Sequence, residues 1–382
     1  MNNSHPQHTD LFAVFLAALL GAILLLTLLV LQSTHLLSSS LLIFIAAGMM
    51  LAALLLLRGL FPIHPHHRLW KRLAASTVSI CIILACLLSS RTALLLSHSL
   101  SSMFGSLQEP ITAPLQSSIG SPFTVYLGGS DTRSSTLTKS RYDVNILAVI
   151  SPATRQILLV NTPRDYYVPN PAGKGAKDKL THCGLYGADN AKAALSALYG
   201  IPIDYGAVIN FAGFRQLIDA IGGITVTSDI AFTTSVGSYP IVQGKNHLDG
   251  AQALAFARER KHLPQGDNAR GKHQMQVLTA MLRQCVQSGI GSRLPTLLTA
   301  LEGTFTTDMP ISLLSELART QLSDIDQWEL FTLSVTGTDG TARCWSSAGN
   351  AYVMFPDSSV NTAGKIMEQM LQGAVITAEM LP

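Results

Sequence analysis

Three apolar runs near the middle of the chain each carry a carboxylate close to a guanidinium at one end. Asp131 and Arg133 follow FTVYLGGS, Arg141 and Asp143 precede VNILAVI, and Arg164 and Asp165 follow ILLVNTP. Charge placed where apolar strands end costs desolvation unless it is paired or holds a charged ligand. The stretch from Phe123 to Asp165 is therefore read as part of a site. Further along, Arg258 and Arg260 share a face if they stand on extended backbone, and Arg270 and Gln274 lie one turn apart if they share a helix. With Arg133, Arg141 and Arg164 they offer planar, two-pronged donors, which is what a doubly charged phosphate or a pyrophosphate requires.

Asp131 and Asp143, at facing strand ends, could meet around a hard cation. Magnesium takes one or two carboxylates and completes its shell with phosphate oxygens and water, so the set points to metal-assisted phosphoryl transfer. Each residue taken alone is better explained by a surface ion pair, such as Arg164 with Asp165 or Arg258 with Glu259. Their concentration in loops that interrupt apolar strands favours a site. Lys179, in KDKLTH, either brings an ammonium to the same phosphates or is a solvated lysine. His182 and His273 are read as structural hydrogen-bond donors. No GxSxG elbow, P-loop or HExxH pair occurs, so serine hydrolase, nucleotide kinase and zinc protease chemistry lack their parts.

The elements that must position these residues alternate along the chain. FTVYL, VNILAVI and ILLVNT are strand-length runs, and SPATRQ makes the last two a hairpin. Their nearly continuous apolar character places them in a sheet covered on both faces. Helical spacing follows in Ala188 to Tyr199 and Phe211 to Ile221, then a strand in ITVTSD, then a helix capped by Asp249 that ends near Arg258. From Arg270 onward apolar residues at 275, 278, 281, 282 and 285 predict an amphipathic helix. Helices near Leu294–Leu301 and Ser312–Gln321, the strand WELFTLSV, a loop containing Cys344, the strand AYVMF and a helix Val360–Leu371 capped by Asp357 complete the pattern. The fold expected is α/β, an α+β layered domain with a central mixed β-sheet flanked by helices, preceded by three transmembrane helices.

Those spans are read at about 11–31, 36–57 and 73–90, each long enough for a hydrocarbon core that needs about 20 helical residues. Nothing about the first marks it as a cleaved signal peptide. Residues 1–96 are thus a membrane anchor, 97–121 a Ser, Pro and Gly-rich tether, and 122–382 the outer domain. Through Ser90 the charged residues are Asp10, Arg58, Arg68, Lys71 and Arg72, which leaves 22 of the 26 basic and 22 of the 23 acidic residues for the remainder. The basic loop between spans two and three sets the amino terminus in the cytoplasm and the large domain outside, as a multi-pass membrane protein. That domain is neutral, which argues against nucleic acid. Histidines in the basic loop are read as a wet membrane-surface loop. Cys81 and Cys86 fill span three. Among Cys183, Cys285 and Cys344 the favoured bridge is Cys183 with Cys285, against the alternative of none.

Seven segments carry a resemblance: GGSDTR, SRYDVN, NTPRDYYV, DKLTHCGLYG, NFAGFRQLIDAIGGI, LDGAQALAFARERK and GDNARGKHQ. In order and spacing, from about Phe123 to Gln284, they resemble the LytR-CpsA-Psr family of bacterial cell-wall enzymes. The resemblance implies transfer of a glycopolymer, such as capsule or teichoic acid, from a polyprenyl pyrophosphate carrier to a peptidoglycan sugar hydroxyl. On the matching positions Asp131 and Asp143 take the Mg2+ side. Arg141, Arg164, Arg258, Arg260, Arg270 and Gln274 hold the pyrophosphate, with Arg133 and Lys179 at neighbouring positions. A hydrophobic groove for the lipid tail is implied, lined by Phe211, Phe214, Leu217 and Ile218, although a buried helical stripe explains those residues equally well. Tyr142 and Cys183 depart from the usual residues at their positions. Hydrolysis of the carrier, or a receptor that binds wall lipid precursors without catalysis, remain the alternatives, and other membrane synthases are possible partners of the spans.

Overall fold

The computed structural model describes residues 120–382 apart from 133–136, 138, 263–266, 288–300, 311–312, 314–316, 318–326 and 348, and omits the side chains of 267–269 and 285–287. The described residues all belong to one compact unit, 99–382. The three expected spans, nearly all of the tether, Arg133 and most of the two helices expected around 294–321 lie outside the described residues. No helix among the described residues is long and apolar enough to cross a membrane.

In chain order the strands are β1 (Phe123–Ser130), β2 (Tyr142–Ser151), β3 (Gln156–Asn161), β4 (Tyr167–Pro169), β5 (Lys177–Lys179), β6 (Tyr205–Asn210) and β7 (Ile224–Ser228). They continue with β8 (Phe232–Thr233), β9 (Pro240–Ile241), β10 (Gly244–Leu248), β11 (Phe305–Thr307), β12 (Glu329–Ser334), β13 (Gly337–Arg343) and β14 (Asn350–Pro356). The longer helices are α1 (Ala188–Tyr199), α2 (Phe211–Ala220), α3 (Gly250–Arg258), α4 (Asp267–Gln287) and α5 (Ser358–Leu371). A six-stranded sheet has the order β11-β6-β1-β2-β3-β12. β1, β2 and β3 are antiparallel neighbours, while β6 and β12 join parallel to β1 and β3. The sheet is mixed, as expected.

Both of its faces are covered. Tyr126, Leu147, Val149, Leu158 and Val160 pack beneath α1 and α5 through residues such as Leu195 and Met367. Val125, Ile146, Ala148, Ile157 and Leu159 form the other face and meet Met275 and Leu278 of α4. Every residue of β3 is buried, which is why its sequence is apolar without alternation. Fully burying one such side chain contributes roughly 1.5–3 kcal/mol. A further core joins α2, α3, β7 and β10 through Ile218, Ile224, Leu248 and Phe256. Val277, Ala280 and Met281 of α4 belong to it, so α4 is wedged between two cores. The single apolar stripe expected for α4 is therefore replaced by two, and Val277, outside that stripe, is only 2% exposed.

Helix starts follow their local chemistry. Asp249 accepts from the Gln252 N–H while the Gln252 side chain accepts from the Asp249 N–H, and Asp357 accepts from the Ser359 N–H. The segment Gly337–Arg343, expected as part of a loop, instead forms β13 paired with β14. GTDGTAR has no apolar alternation, so only its partner strand reveals it. Cys183 and Cys344 are free, buried thiols. The expected Cys183–Cys285 bridge is not formed: Cys183 is packed in the core beneath α1, where burial pushes its thiol up to about 12.

Candidate functional site

An irregularity in the pairing of β1 with β2 builds the sheet side of the site. Gly129 faces Val144 and Ser130 faces Tyr142, which leaves Asp143 as an extra, unpaired residue. Such a bulge re-aims the side chains on one side of it. Tyr142 accordingly packs with Tyr126 in the core beneath α1, and Asp143 opens onto the opposite face together with Val144. Gly129 permits the close approach, since a Cβ there would lie 2.7 Å from the Val144 Cβ.

Arg164 follows β3 on the turn begun by Thr162 and Pro163. Its Nη1 donates to Asp143 Oδ1 at 2.9 Å and its Nε to Asp165 Oδ2 at 3.3 Å. Asp165 Oδ1 in turn accepts from Lys179 Nζ at 2.9 Å. The backbone is pinned where the Thr181 N–H donates to the Arg164 carbonyl at 2.8 Å and the Met354 N–H to that of Asp165 at 2.9 Å. A chain of alternating charge, Asp143, Arg164, Asp165 and Lys179, thus holds one guanidinium at the strand ends.

The helical side is assembled differently. Arg258 ends α3, with its guanidinium 4.3 Å from the Phe211 ring centroid and 3.9 Å from Asp131 Oδ1. The next residue, Glu259, is 1% exposed. Its carboxylate accepts from the Ser235 N–H and hydroxyl and from the N–H groups of Arg260, Lys261 and His262. Burial pushes the Glu259 pKa up, but the donors of Ser235, His262 and Arg260 outweigh it and bring the carboxyl down to about 2. This clamp turns the chain so that Arg260 and Lys261 line the same cavity as Arg258. Arg270 and Gln274, both buried, come from α4 one turn apart. Gly271 lets α4 cross the end of β3, since a Cβ there would lie 2.4 Å from Asn161 Nδ2.

These parts enclose a cavity of about 430 Å³. One end holds Asp143, Arg164, Arg258, Arg260 and Arg270; the other is an apolar groove walled by Phe214, Leu217, Leu254, Leu278 and Met281. A cationic end joined to an apolar trough suits a ligand with a multiply charged anion and a long hydrocarbon tail.

Of the residues read from sequence, Asp143, Arg164, Arg258, Arg260, Arg270, Gln274, Phe211 and Phe214 line this one cavity. Arg258 and Arg260 do so without sharing extended backbone, because Arg258 is still helical. Asp131 is exposed and meets the set through Arg258. Arg141 is exposed and outside the lining; its carbonyl accepts from the Asp131 N–H at 3.0 Å, which keeps the two strand ends together. Lys179 stands behind Asp165, 5.5 Å from the Tyr352 ring centroid, and does not line the cavity, because β5 turns it toward β14. Ile218 is buried in the core of α2 and α3 and is not part of the groove wall. No group of three or more His, Cys, Asp or Glu gathers as a metal site among the described residues. Asp131 and Asp143 remain hard oxygen donors at adjoining strand ends.

His182 and His273 both have hydrogen-bond partners within the fold. His182 Nδ1 lies 2.7 Å from Asp178 Oδ1 and 2.7 Å from Ser346 Oγ. His273 is stacked 4.0 Å from the Phe256 ring, with Nδ1 3.1 Å from the Phe256 carbonyl. Sequence reasoning missed Glu259, whose acidic type among ARERK suggested a surface pair, and the groove residues of α3 and α4, whose apolar spacing reads as ordinary core.

The LytR_cpsA_psr family model matches residues 103–367. The polyisoprenyl-teichoic acid–peptidoglycan teichoic acid transferase TagU of Enterococcus faecalis is 34% identical over 199 residues, 52% of this chain and 65% of that one. The TagU transferase of Bacillus mycoides is 33% identical over 189 residues, 49% of this chain and 60% of that one. The chain thus spans just under two thirds of the length of these curated relatives. Among solved structures, B. subtilis TagV is 25% identical with a TM-score of 0.55, covering 67% of this chain and 99% of that one. The Lin1025 protein of Listeria innocua is 27% identical with a TM-score of 0.54, covering 66% and 99%. A family model that extends over most of the chain and contains every residue of the cavity makes this protein a member of the LytR-CpsA-Psr family.

Proposed function

We propose that the protein transfers a wall glycopolymer from a polyprenyl pyrophosphate carrier to a peptidoglycan sugar hydroxyl. The observation that carries this reading is the single cavity whose cationic end continues into an apolar groove. It is supported by the names of the relatives, which are teichoic acid transferases acting between a polyisoprenyl carrier and peptidoglycan.

Arg258, Arg260, Arg270 and Gln274 bind the pyrophosphate oxygens, and Arg164, fixed by Asp143, orients the phosphorus nearer the polymer. The acceptor hydroxyl oxygen bonds to that phosphorus as its bond to the bridging oxygen breaks. Lipid monophosphate departs with the electron pair, and the hydroxyl proton passes to solvent. Orientation and charge neutralisation are the protein's contributions, and no protein nucleophile takes part. Asp131 and Asp143 would hold Mg2+, which when bound neutralises charge on the pyrophosphate oxygens. The reading includes three membrane spans that keep the catalytic unit outside a bacterial membrane, beside other wall-synthesis proteins. The test is the full-length chain given a polyprenyl pyrophosphate-linked glycan and soluble peptidoglycan fragments. Glycan joined to fragments is expected; lipid phosphate released without transfer would make it a hydrolase, and binding without cleavage a receptor.

A further inference from the structure

A larger opening, about 1110 Å³, lies on the other side of α4 from the apolar groove. α4 turns Lys272, Gln276, Thr279 and Arg283 toward this cleft, and Arg270, Gln274, Leu278 and Met281 toward the groove. The opposite walls come from β7 and β10, with Thr225, Thr227 and Lys245, and from β12, the edge strand of the central sheet. A small cavity of about 20 Å³ adjoins both spaces. It is lined by Asp143, Arg164, Arg270 and Gln274, which it shares with the groove, and by Ser334, which it shares with the cleft.

The cleft has a definite chemistry. Lys245, Lys272 and Arg283 are exposed along it, and none of its described lining residues has an acidic side chain. Threonine hydroxyls stand on three of its walls, in Thr225 of β7, Thr279 of α4 and Thr332 of β12. The side-chain oxygen of Gln276 is buried there without a hydrogen-bond partner, which costs free energy until a donor arrives. Exposed cations, hydroxyls and an unmet acceptor together suit a sugar chain that also bears carboxylates.

Displacement at phosphorus proceeds with entering and leaving oxygens roughly in line. With the lipid tail in the groove, the departing lipid phosphate points into the groove, and the polymer on the attacked phosphorus lies to the side of that line. An entering hydroxyl in line with it then comes from the side of Arg164, Arg270 and Gln274, where the small cavity lies. A volume of roughly 10–15 Å³ holds one water-sized group, so the small cavity has room for a hydroxyl and none for a sugar ring. We propose that the cleft is the acceptor subsite, in which a carboxylate-bearing glycan strand lies against α4 and β12 and presents one hydroxyl past Ser334 to the small cavity beside Arg164. This rests on the transfer reading above.

The test compares the full-length chain with a Lys245→Glu, Lys272→Glu, Arg283→Glu variant, all three sites being exposed. Three quantities are read: release of lipid phosphate from a polyprenyl pyrophosphate-linked glycan in water, transfer to soluble peptidoglycan fragments, and binding of the fragments alone. The variant is expected to release lipid phosphate within twofold of the parent, with an unchanged unfolding midpoint. Its KM for fragments rises at least tenfold at unchanged kcat, and fragment binding falls in step. A second variant, Gln276→Leu, is expected to weaken fragment binding without altering its dependence on salt. An unchanged fragment KM would overturn the assignment, and so would a rise in the donor KM in its place, which would give the cleft to the donor's polymer. If the parent neither cleaves nor transfers, the transfer reading falls on its own. Fragment binding lost on charge reversal would still support a glycan cleft, and absent binding would end it.

Discussion

On the sheet side of the cavity, Arg164 is held between two carboxylates, and on the helical side Arg258 rests on an aromatic face while a buried glutamate turns the chain beneath Arg260. The two arrangements solve different problems. Ion pairs with Asp143 and Asp165 fix Arg164 closely but cancel much of its charge, so it is suited to orienting a phosphoryl group. A ring beneath a guanidinium orients it without neutralising it, and the exposed Asp131 carboxylate 3.9 Å away offsets the Arg258 charge less than the two closer carboxylates offset that of Arg164. Glu259 spends its own charge on backbone N–H groups, so it shapes the loop while opposing the neighbouring arginines less. The sheet side supplies position and the helical side supplies attraction.

The largest effect should come from breaking the sheet side. Arg164→Ala or Asp143→Ala is expected to lower the rate of transfer by about 10²–10³-fold, the range for removing one preorganised donor from a reacting centre. The unfolding midpoint should barely move, which circular dichroism on the same samples would check. If donor KM rises and kcat holds, Arg164 attracts substrate and the contrast between the two sides is wrong.

Next comes the Glu259 clamp. Its folded pKa of about 2 lies below the ordinary 4.5. Its stabilisation is therefore complete above the ordinary value and lost as pH falls from there through about 2. At neutral pH this is worth on the order of 3 kcal/mol. Glu259→Gln should lose up to that amount in denaturant unfolding at pH 7 and flatten the loss of stability between pH 4.5 and 2. An unchanged acid slope would count against the clamp.

Smaller still is the aromatic support. Arg258→Lys and Phe211→Leu should each raise donor KM several-fold, since a stacked cation is worth about 0.5–2 kcal/mol. In the double variant the losses should not add, and additive losses would mean that the ring does not position Arg258. Lys179→Met tests the far end of the sheet-side chain. It should cost about 1 kcal/mol of stability and change activity by less than about threefold, because Lys179 touches the cavity only through Asp165. A large loss of activity would put Lys179 back at the phosphates.

Much of this architecture was legible beforehand, and the reasons are local. The ILAVI run of β2 and the ILLV run of β3 are apolar without interruption because both faces of the sheet are covered. α1 occupies the range read for it, and the Asp249 and Asp357 caps sit where their side chains satisfy the first N–H groups. β6 escaped notice although it adjoins β1 at the heart of the sheet. Its YGAVIN alternation is short and runs directly into α2. β13 escaped because its glycines and polar residues take strand form only through pairing with β14.

The site divides along the same line. The amino-acid sequence alone determined which residues can carry the chemistry, because guanidinium forks and carboxylates at the ends of apolar runs have few bland uses as a set. It also determined family membership, which depends on the order and spacing of segments. The tertiary structure alone decided which charges converge. Strict alternation would put Asp143 and Val144 on opposite faces, and the bulge beside Gly129 brings them to one. Lys179 leaves the cavity because β5 turns it toward β14, and Arg141 stays in solvent at the strand end. α4 separates an apolar groove from a polar cleft only because it is packed between two cores. Residue type and spacing are properties of the chain, whereas the direction of a side chain depends on bulges and packing partners far away in sequence.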